Sequence, residues 1–139
     1  MPITALHFVY NVEATPKALV KDFVHRLVDP ATYPCRLCDL TYGRFVKKPG
    51  WQLFLWSLPV KARFYPKDRF IRKHPSHGRH TFPVVLSEDN KGRFSVFLSA
   101  EKLASIASLA DLETEVKSGL ELSAAHRLKR DAPAARLRR

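Results

Sequence analysis

The residues best suited to chemistry are Cys35 and Cys38, which form a Cys-X-X-Cys pair. This spacing places two thiols on one helical turn, where they can form and break a disulfide bond or bind one metal ion as thiolates. For redox chemistry, Cys35 is the expected attacking thiolate because Arg36 favours its charge, and Cys38 would resolve the mixed disulfide. Free cysteines are also often buried, so a purely packing role stays open. The favoured hypothesis is a reversible dithiol that acts on a protein or small-molecule thiol of unknown identity.

Three histidines, His74, His77 and His80, form a second cluster at three-residue intervals. Two of them, together with Cys35 and Cys38, could complete a tetrahedral zinc site of two sulfurs and two nitrogens. The His-X-X-His spacing is shorter than usual for such a site, however, and the neighbouring Lys and Arg side chains would repel a cation. A solvated basic loop is therefore the favoured interpretation, and the sequence predicts no metal and no other cofactor.

The positive charge of the chain is concentrated in two places. Residues 61–80 and 126–139 carry net charges of +6 and +5, which together equal the net charge of +11 of the whole chain. Basic segments of this kind can bind nucleic acid by releasing counterions, but they are equally common as solvated surface. The alternative to the dithiol hypothesis is therefore a zinc-stabilised or structural binding module, with a basic surface for acidic partners or nucleic acid. Nucleic acid is a possible partner that the sequence does not favour.

Composition limits the class of protein. The chain has 139 residues, of which 45% are hydrophobic, so it can bury one core without metals or disulfide bonds. The N-terminal residues show no basic region followed by an apolar segment, which predicts that the protein is not secreted and stays in the cytoplasm. Charges interrupt every apolar stretch before the roughly 18 residues that a membrane span needs. No membrane partner is expected.

Common catalytic motifs are missing. The five glycines do not form a nucleotide-binding loop of either common type. The sequence also lacks the Gly-X-Ser-X-Gly motif of serine hydrolases and the His-Glu-X-X-His motif of metalloproteases. Nucleotide hydrolysis, serine hydrolysis and metalloprotease chemistry therefore have no support.

The elements that must position these residues follow from apolar periodicity and from the prolines and glycines. Residues 1–122 are predicted to form a single α/β domain, and residues 123–139 a basic, disordered tail. In the first half of the domain, the pattern predicts a strand over residues 3–12, a helix over 16–28, an irregular loop over 29–50 and a helix over 51–58. A strand over residues 60–65 follows, and then a surface loop with or without a short helix over 67–80. The last predicted elements are a hairpin of strands 82–87 and 93–98 and two helices that begin at Ser99 and Asp111.

This order of elements predicts a thioredoxin-like mixed sheet of about four strands with flanking helices. In thioredoxin-like proteins a cis-proline before the hairpin lies against the Cys-X-X-Cys pair and helps to bind substrate, and Pro83 occupies the corresponding position in this sequence. A proline at the first residue of a strand also needs no function. The pair itself departs from the pattern, because in those enzymes it directly follows the first strand, whereas here a predicted helix intervenes.

The segment from Tyr33 to Gly43 reads YPCRLCDLTYG, and the predicted first strand contains LHFVYN. Together they resemble a family of short uncharacterised bacterial proteins with a Y-x-C-x-L-C-x-L-T-Y-G motif, over residues 3 to about 120. The resemblance implies a bacterial cytosolic protein and supplies no activity. Some members carry the label GTPase, which this chain contradicts because it has no phosphate-binding loop.

Overall fold

The computed structural model has an α/β fold built on one four-stranded mixed sheet. It describes residues 2–12, 15, 17, 20–21, 24–25, 28, 36–41 and 48–137, and for residues 36, 38, 39 and 125–137 the backbone only. The strands are β1 (Ile3–Tyr10), β2 (Lys61–Pro66), β3 (Val84–Asp89) and β4 (Phe94–Leu98). The strand order is β2-β1-β3-β4, in which β1 and β2 are parallel and the other neighbours antiparallel.

Helices flank this sheet, which confirms the predicted fold class. The described α-helices are α1 (Arg36–Thr41), α2 (Pro49–Ser57), α3 (Lys67–Lys73), α4 (Ala100–Ala104) and α5 (Leu109–Leu137), and a 3-10 turn spans Pro75–His77. The predicted helix over residues 51–58 and the hairpin are both present. The predicted helix over residues 16–28 lies largely outside the described residues. None of the helices in the described part of the chain combines the length and apolarity needed to cross a bilayer.

The two faces of the sheet differ because side chains alternate along a strand. On β1, Leu6, Phe8 and Tyr10 point into the larger of two apolar clusters, which we call the broad face. The helices other than α3 supply most of the rest of that cluster, and β3, β4 and the segment between α4 and α5 supply the remainder. Its other buried members are Leu37, Leu40, Trp51, Leu55, Val85, Leu98, Leu103, Ile106, Leu112 and Val116.

Two glycines serve this architecture. Gly92 has a φ of 78° in the hairpin turn and donates its N–H to the carbonyl oxygen of Asp89 at 3.0 Å, a backbone conformation that glycine adopts most readily. Gly119 lets α5 approach β4 closely, because a Cβ atom there would lie 2.5 Å from the ring of Phe97. The helix thus packs directly onto the hairpin.

The structure bears on three parts of the sequence-based prediction. Residues 67–80, which were predicted as a surface loop with or without a short helix, contain the short helix α3 and the 3-10 turn around a fully buried Phe70. The start of α5 is capped by Ser108, whose hydroxyl accepts a hydrogen bond from the N–H of Asp111 at 3.2 Å, rather than by Asp111 itself. Finally, α5 continues to Leu137 through the predicted disordered tail. Alanine, leucine, lysine and arginine make up most of that segment and favour a helix, which apolar periodicity alone does not detect, whereas Pro133 opposes it.

Candidate functional site on the histidine face

The opposite face of the sheet carries His7 in the middle of its central strand. His7 is only 2% exposed, although it lies in an otherwise apolar part of β1. The apolar cluster on this side is small and consists of Val9, Phe70, Val84 and Leu86. We call this side the histidine face. A buried imidazole in such a small cluster needs a polar partner, because burying an unsatisfied polar group costs free energy.

That partner is Glu88 on β3. The Nε2 atom of His7 lies 2.7 Å from Oε1 of Glu88, whose side chain is 30% exposed. With the carboxylate accepting a hydrogen bond from Nε2–H, the Nδ1 atom of His7 is left as an acceptor. Nδ1 is buried and has no hydrogen-bond partner among the described residues, and the same holds for Nε2 of His74. The site thus combines a paired, partly solvated carboxylate with two buried imidazole nitrogens that are not engaged.

Five aromatic and imidazole rings follow one another across this face in nearly parallel pairs. The pair Tyr65–His7 has a centroid distance of 5.9 Å, and the pair His7–Phe94 has one of 4.8 Å. Phe94 continues to His77 at 4.8 Å, and His77 to His80 at 5.5 Å. The interplanar angles lie between 5° and 26°, within the offset-stacked geometry that aromatic pairs favour. We refer to these five residues as the ring stack.

Helix α3 and the 3-10 turn after it position His77 and His80 of the ring stack. It begins directly after β2, and the backbone N–H of Lys67 donates to the carbonyl oxygen of Val12 at 2.9 Å, which ties the start of α3 to the end of β1. Phe70 anchors the helix by full burial against the sheet. The chain then turns through the 3-10 segment, where His77 donates its N–H to the carbonyl oxygen of His74 at 2.9 Å. This turn brings His77 against the ring of Phe94 on β4.

Burial sets the protonation of the histidines. It lowers the pKa of His7 below 6.5, and Arg63 and Lys73 add to that effect, while the hydrogen bond that His7 donates to Glu88 and the charge of Glu88 partly oppose it. Burial also lowers the pKa of His74, as does the nearby imidazole of His7. The pKa of His80 is lowered by burial first and then by the charges of His77 and Arg79. At neutral pH these three imidazoles are therefore predominantly neutral.

Cations flank the ring stack at both ends. At one end, the ammonium nitrogen of Lys73 lies 5.6 Å from the centroid of the Tyr65 ring and 3.5 Å from its hydroxyl oxygen. Arg63, which is exposed on β2, lies in register with His7. At the other end, the exposed Arg79 donates a hydrogen bond to the carbonyl oxygen of Ser76. The stack is thus bordered by positive charge on both sides.

The structure describes only part of the predicted thiol site. Cys35 and the side chain of Cys38 lie outside the described residues, whereas the backbone of Cys38 belongs to α1. The flanking residues Leu37 and Leu40 are buried in the broad face. Pro83 is buried directly before β3, and the Phe82–Pro83 peptide bond is cis. The assignment of these residues as a thiol site stays a prediction.

The predicted zinc ligands have other contacts. Nδ1 of His77 lies 3.3 Å from Nε2 of His80, within hydrogen-bond distance. Among the described residues, no group of three or more His, Cys, Asp or Glu side chains is arranged to hold a metal ion. A zinc site that includes both cysteines falls outside the described side chains and stays a prediction.

Sequence reasoning did not identify His7, Glu88, Tyr65 or Phe94 as site residues. The sequence does contain one signal for His7, because it is the strongly polar side chain in the otherwise apolar central part of β1. Glu88 and Phe94 become neighbours only through the pairing of β3 with β4, which places them opposite each other.

Comparison with known proteins adds no further assignment. No family model, curated protein or solved structure matches this chain. The resemblance to the bacterial family with the Y-x-C-x-L-C-x-L-T-Y-G motif therefore stays a prediction, and the function must be argued from the chain's own residues.

Proposed function

We propose that this protein is a thioredoxin-like dithiol protein in which Cys35 and Cys38 exchange with the disulfide bond of a protein or small-molecule partner. The observation that carries the proposal is the position of α1, the helix to which the backbone of Cys38 belongs. It packs through Leu37 and Leu40 into the broad face of the mixed sheet. A helix held in this way provides the fixed backbone that a reversible Cys-X-X-Cys pair requires.

The neighbours of α1 lie at one end of the sheet. Tyr10 ends β1, Val84 begins β3 and Leu98 ends β4, and the antiparallel pairing of β3 with both strands brings these three points together. Helix α4 follows β4 almost directly, and α1 contacts α4. The same end of the sheet carries Pro83, which the thioredoxin-like analogy assigns to substrate binding. This arrangement places α1 and Pro83 at the same end of the sheet and so supports the proposal.

The exchange is balanced within the pair and its partner. The Cys35 thiolate attacks one sulfur of the partner disulfide, and the other partner sulfur leaves as a thiolate that takes up a proton. Cys38 then loses its proton and attacks the Cys35 sulfur, which releases the second partner thiol. Two electrons pass to the partner, whose disulfide becomes two thiols, while the Cys35–Cys38 disulfide forms. We assign this exchange to a bacterial cytoplasm, where thiol pools keep such a pair reduced.

A redox titration of the purified protein tests the proposal. The protein is equilibrated in glutathione buffers, and its free thiols are counted with a chromogenic thiol reagent. We expect a reversible transition between two thiols and none per chain, within the range of roughly −120 to −320 mV that dithiol proteins and cellular pools cover. The Cys38→Ser variant should accumulate a mixed disulfide with glutathione at Cys35, whereas Cys35→Ser should not.

Two results would overturn the proposal. One is a pair that stays reduced at every potential, and the other is oxidation that yields only disulfides between two copies of the chain. Metal analysis of protein purified without a chelator addresses the alternative role of the cysteines. One bound zinc ion per chain, lost in both serine variants, would identify a zinc-stabilised binding module instead.

A further inference from the structure

The basic segment of residues 61–80 is a folded part of the protein and not a free loop. Strand β2, α3 and the 3-10 turn together account for most of it, and they border or cover the histidine face. Six of its cationic side chains are exposed on these elements and the turn that follows, namely Lys61, Arg63, Arg69, Arg72, Lys73 and Arg79. Folding thus converts a charge-rich sequence into a fixed basic surface.

Little negative charge opposes this surface. The segment contains one acidic residue, Asp68, which is partly buried and already has an interaction partner. The nearby carboxylate of Glu88 is engaged by His7. The six cations form no ion pair with a carboxylate among the described residues, and Glu101, which lines one cavity together with His80, is the exposed carboxylate near them. A polyanion would therefore meet a surface of mainly positive charge.

The ring stack ends next to a small cavity. The cavity has a volume of about 180 Å³ and is lined by His80, Thr81, Val84, Val96, Ser99, Ala100 and Glu101. The cavity opens to solvent, and its size suits one planar ring system. Val96 is 52% exposed and offers an apolar wall, while the hydroxyl groups of Thr81 and Ser99 offer polar contacts. A planar group in the cavity would extend the stack beyond His80.

We propose that the histidine face binds single-stranded nucleic acid, with phosphates on Arg63, Lys73 and Arg79 and one base stacked on His80 in the neighbouring cavity. Single strands expose the flat faces of their bases, and proteins bind them by combining a basic track with aromatic or imidazole platforms. A duplex offers only phosphates at such a surface, and an acidic polypeptide offers charge without a planar group. The coincidence of fixed cations, parallel rings and a ring-sized cavity therefore favours the single strand.

Fluorescence anisotropy with a labelled twelve-nucleotide oligouridylate tests this proposal on the full chain. The Arg63→Gln/Lys73→Gln double variant should weaken binding at least tenfold. It should also reduce the slope of log K against log salt concentration by about 1.4, because each phosphate contact on a single strand contributes about 0.7. The His80→Ala variant should weaken binding about fivefold or more through lost stacking, with the salt slope unchanged.

A matched control removes the same number of charges elsewhere. Lys91 in the hairpin turn and Lys117 on α5 are both exposed and lie outside the basic segment, so Lys91→Gln/Lys117→Gln should bind within about twofold of the parent chain. Every variant keeps residues 126–139, so any contribution of that basic segment is the same in all of them. Circular dichroism checks that each variant is folded.

Three results would overturn the proposal. The first is equal weakening by the two double variants, which would indicate charge without a site. The second is polyglutamate of the same length binding as tightly as the oligonucleotide, which would indicate an acidic polypeptide as the partner. The third is unchanged affinity in all variants, or no binding at low salt.

Discussion

The two faces of the sheet bury side chains for different purposes. The broad face packs Leu6, Phe8 and Tyr10 of β1 against several helices, and its buried cluster is almost entirely apolar. The histidine face places His7 of the same strand against Glu88, and one short helix, α3, covers it and buries its own Phe70 there. Successive residues of one strand thus contribute to a packed core and to a titratable, partly solvated site.

The two faces therefore divide stability and chemistry between them. Apolar burial contributes about 25 cal/mol for each Å² removed from water, so the larger cluster supplies most of the stability. The smaller cluster tolerates buried polar groups because β3 delivers the carboxylate that His7 needs. The broad face can therefore hold α1 in place for the proposed thiol exchange, while the histidine face keeps its rings and cations at the surface.

The largest expected effect comes from removing a ring from the broad face. Phe8→Ala should lower the free energy of unfolding by about 3–5 kcal/mol, because it removes a fully buried ring that contacts Trp51 and Phe64 and leaves a cavity. Phe70→Ala removes an equally buried ring from the histidine face. We expect a loss near the lower end of that range, because its smaller cluster can relax around the gap. Urea unfolding measures both values, and a larger loss for Phe70→Ala would contradict the comparison.

An intermediate effect is expected at the polar pair. Glu88→Ala should lower the free energy of unfolding by about 1–3 kcal/mol, because it leaves both ring nitrogens of the buried His7 without a partner. Glu88→Gln retains a hydrogen-bonding group and should lower the free energy of unfolding by a smaller amount. The control Glu101→Ala changes an exposed carboxylate on α4 and should stay within about 0.5 kcal/mol of the parent. Equal losses for Glu88→Ala and Glu101→Ala would show that the pair does not contribute.

The smallest effect is the dependence of stability on pH. Because the pKa values of His7, His74 and His80 are lowered in the folded state, the unfolded chain binds more protons as the pH falls below 6.5. The free energy of unfolding should be constant above that pH and decrease below it. Thermal unfolding between about pH 8 and about pH 5 measures the trend.

A histidine variant sharpens the pH experiment. His74→Gln removes one of the three protonations and should make the decrease less steep. Burial raises the pKa of Glu113 above 4.5, which acts in the opposite direction at more acidic pH, so the comparison stays above about pH 5. A stability that increases on acidification within this range would contradict the burial of the imidazoles.

Much of the fold could be predicted from local patterns. The apolar run of β1, the proline-bounded α2 and the hairpin at Gly92 each have a signal within a few neighbouring residues. Helix α3 gave a weaker signal, because a single fully buried residue, Phe70, fixes it against the sheet and one residue makes no period.

The two candidate sites also differ in how far the sequence predicts them. The amino-acid sequence directly shows the spacing of Cys35 and Cys38 and the basic composition of residues 61–80. The ring stack is not visible, because it joins residues from β1, β2, β4 and the segment after α3. His7 and Glu88 are 81 positions apart, and only the register of β3 against β1 makes them partners.

The α/β class, the Cys-X-X-Cys spacing and the location of the positive charge follow from the amino-acid sequence, because each depends on residue type and short-range spacing. The neighbours of His7, the parallel rings and the cations that border them depend on the three-dimensional fold. Those relations depend on strand order and register, which are fixed by long-range packing of the two faces. Side chains that are distant in sequence meet only when that packing forms.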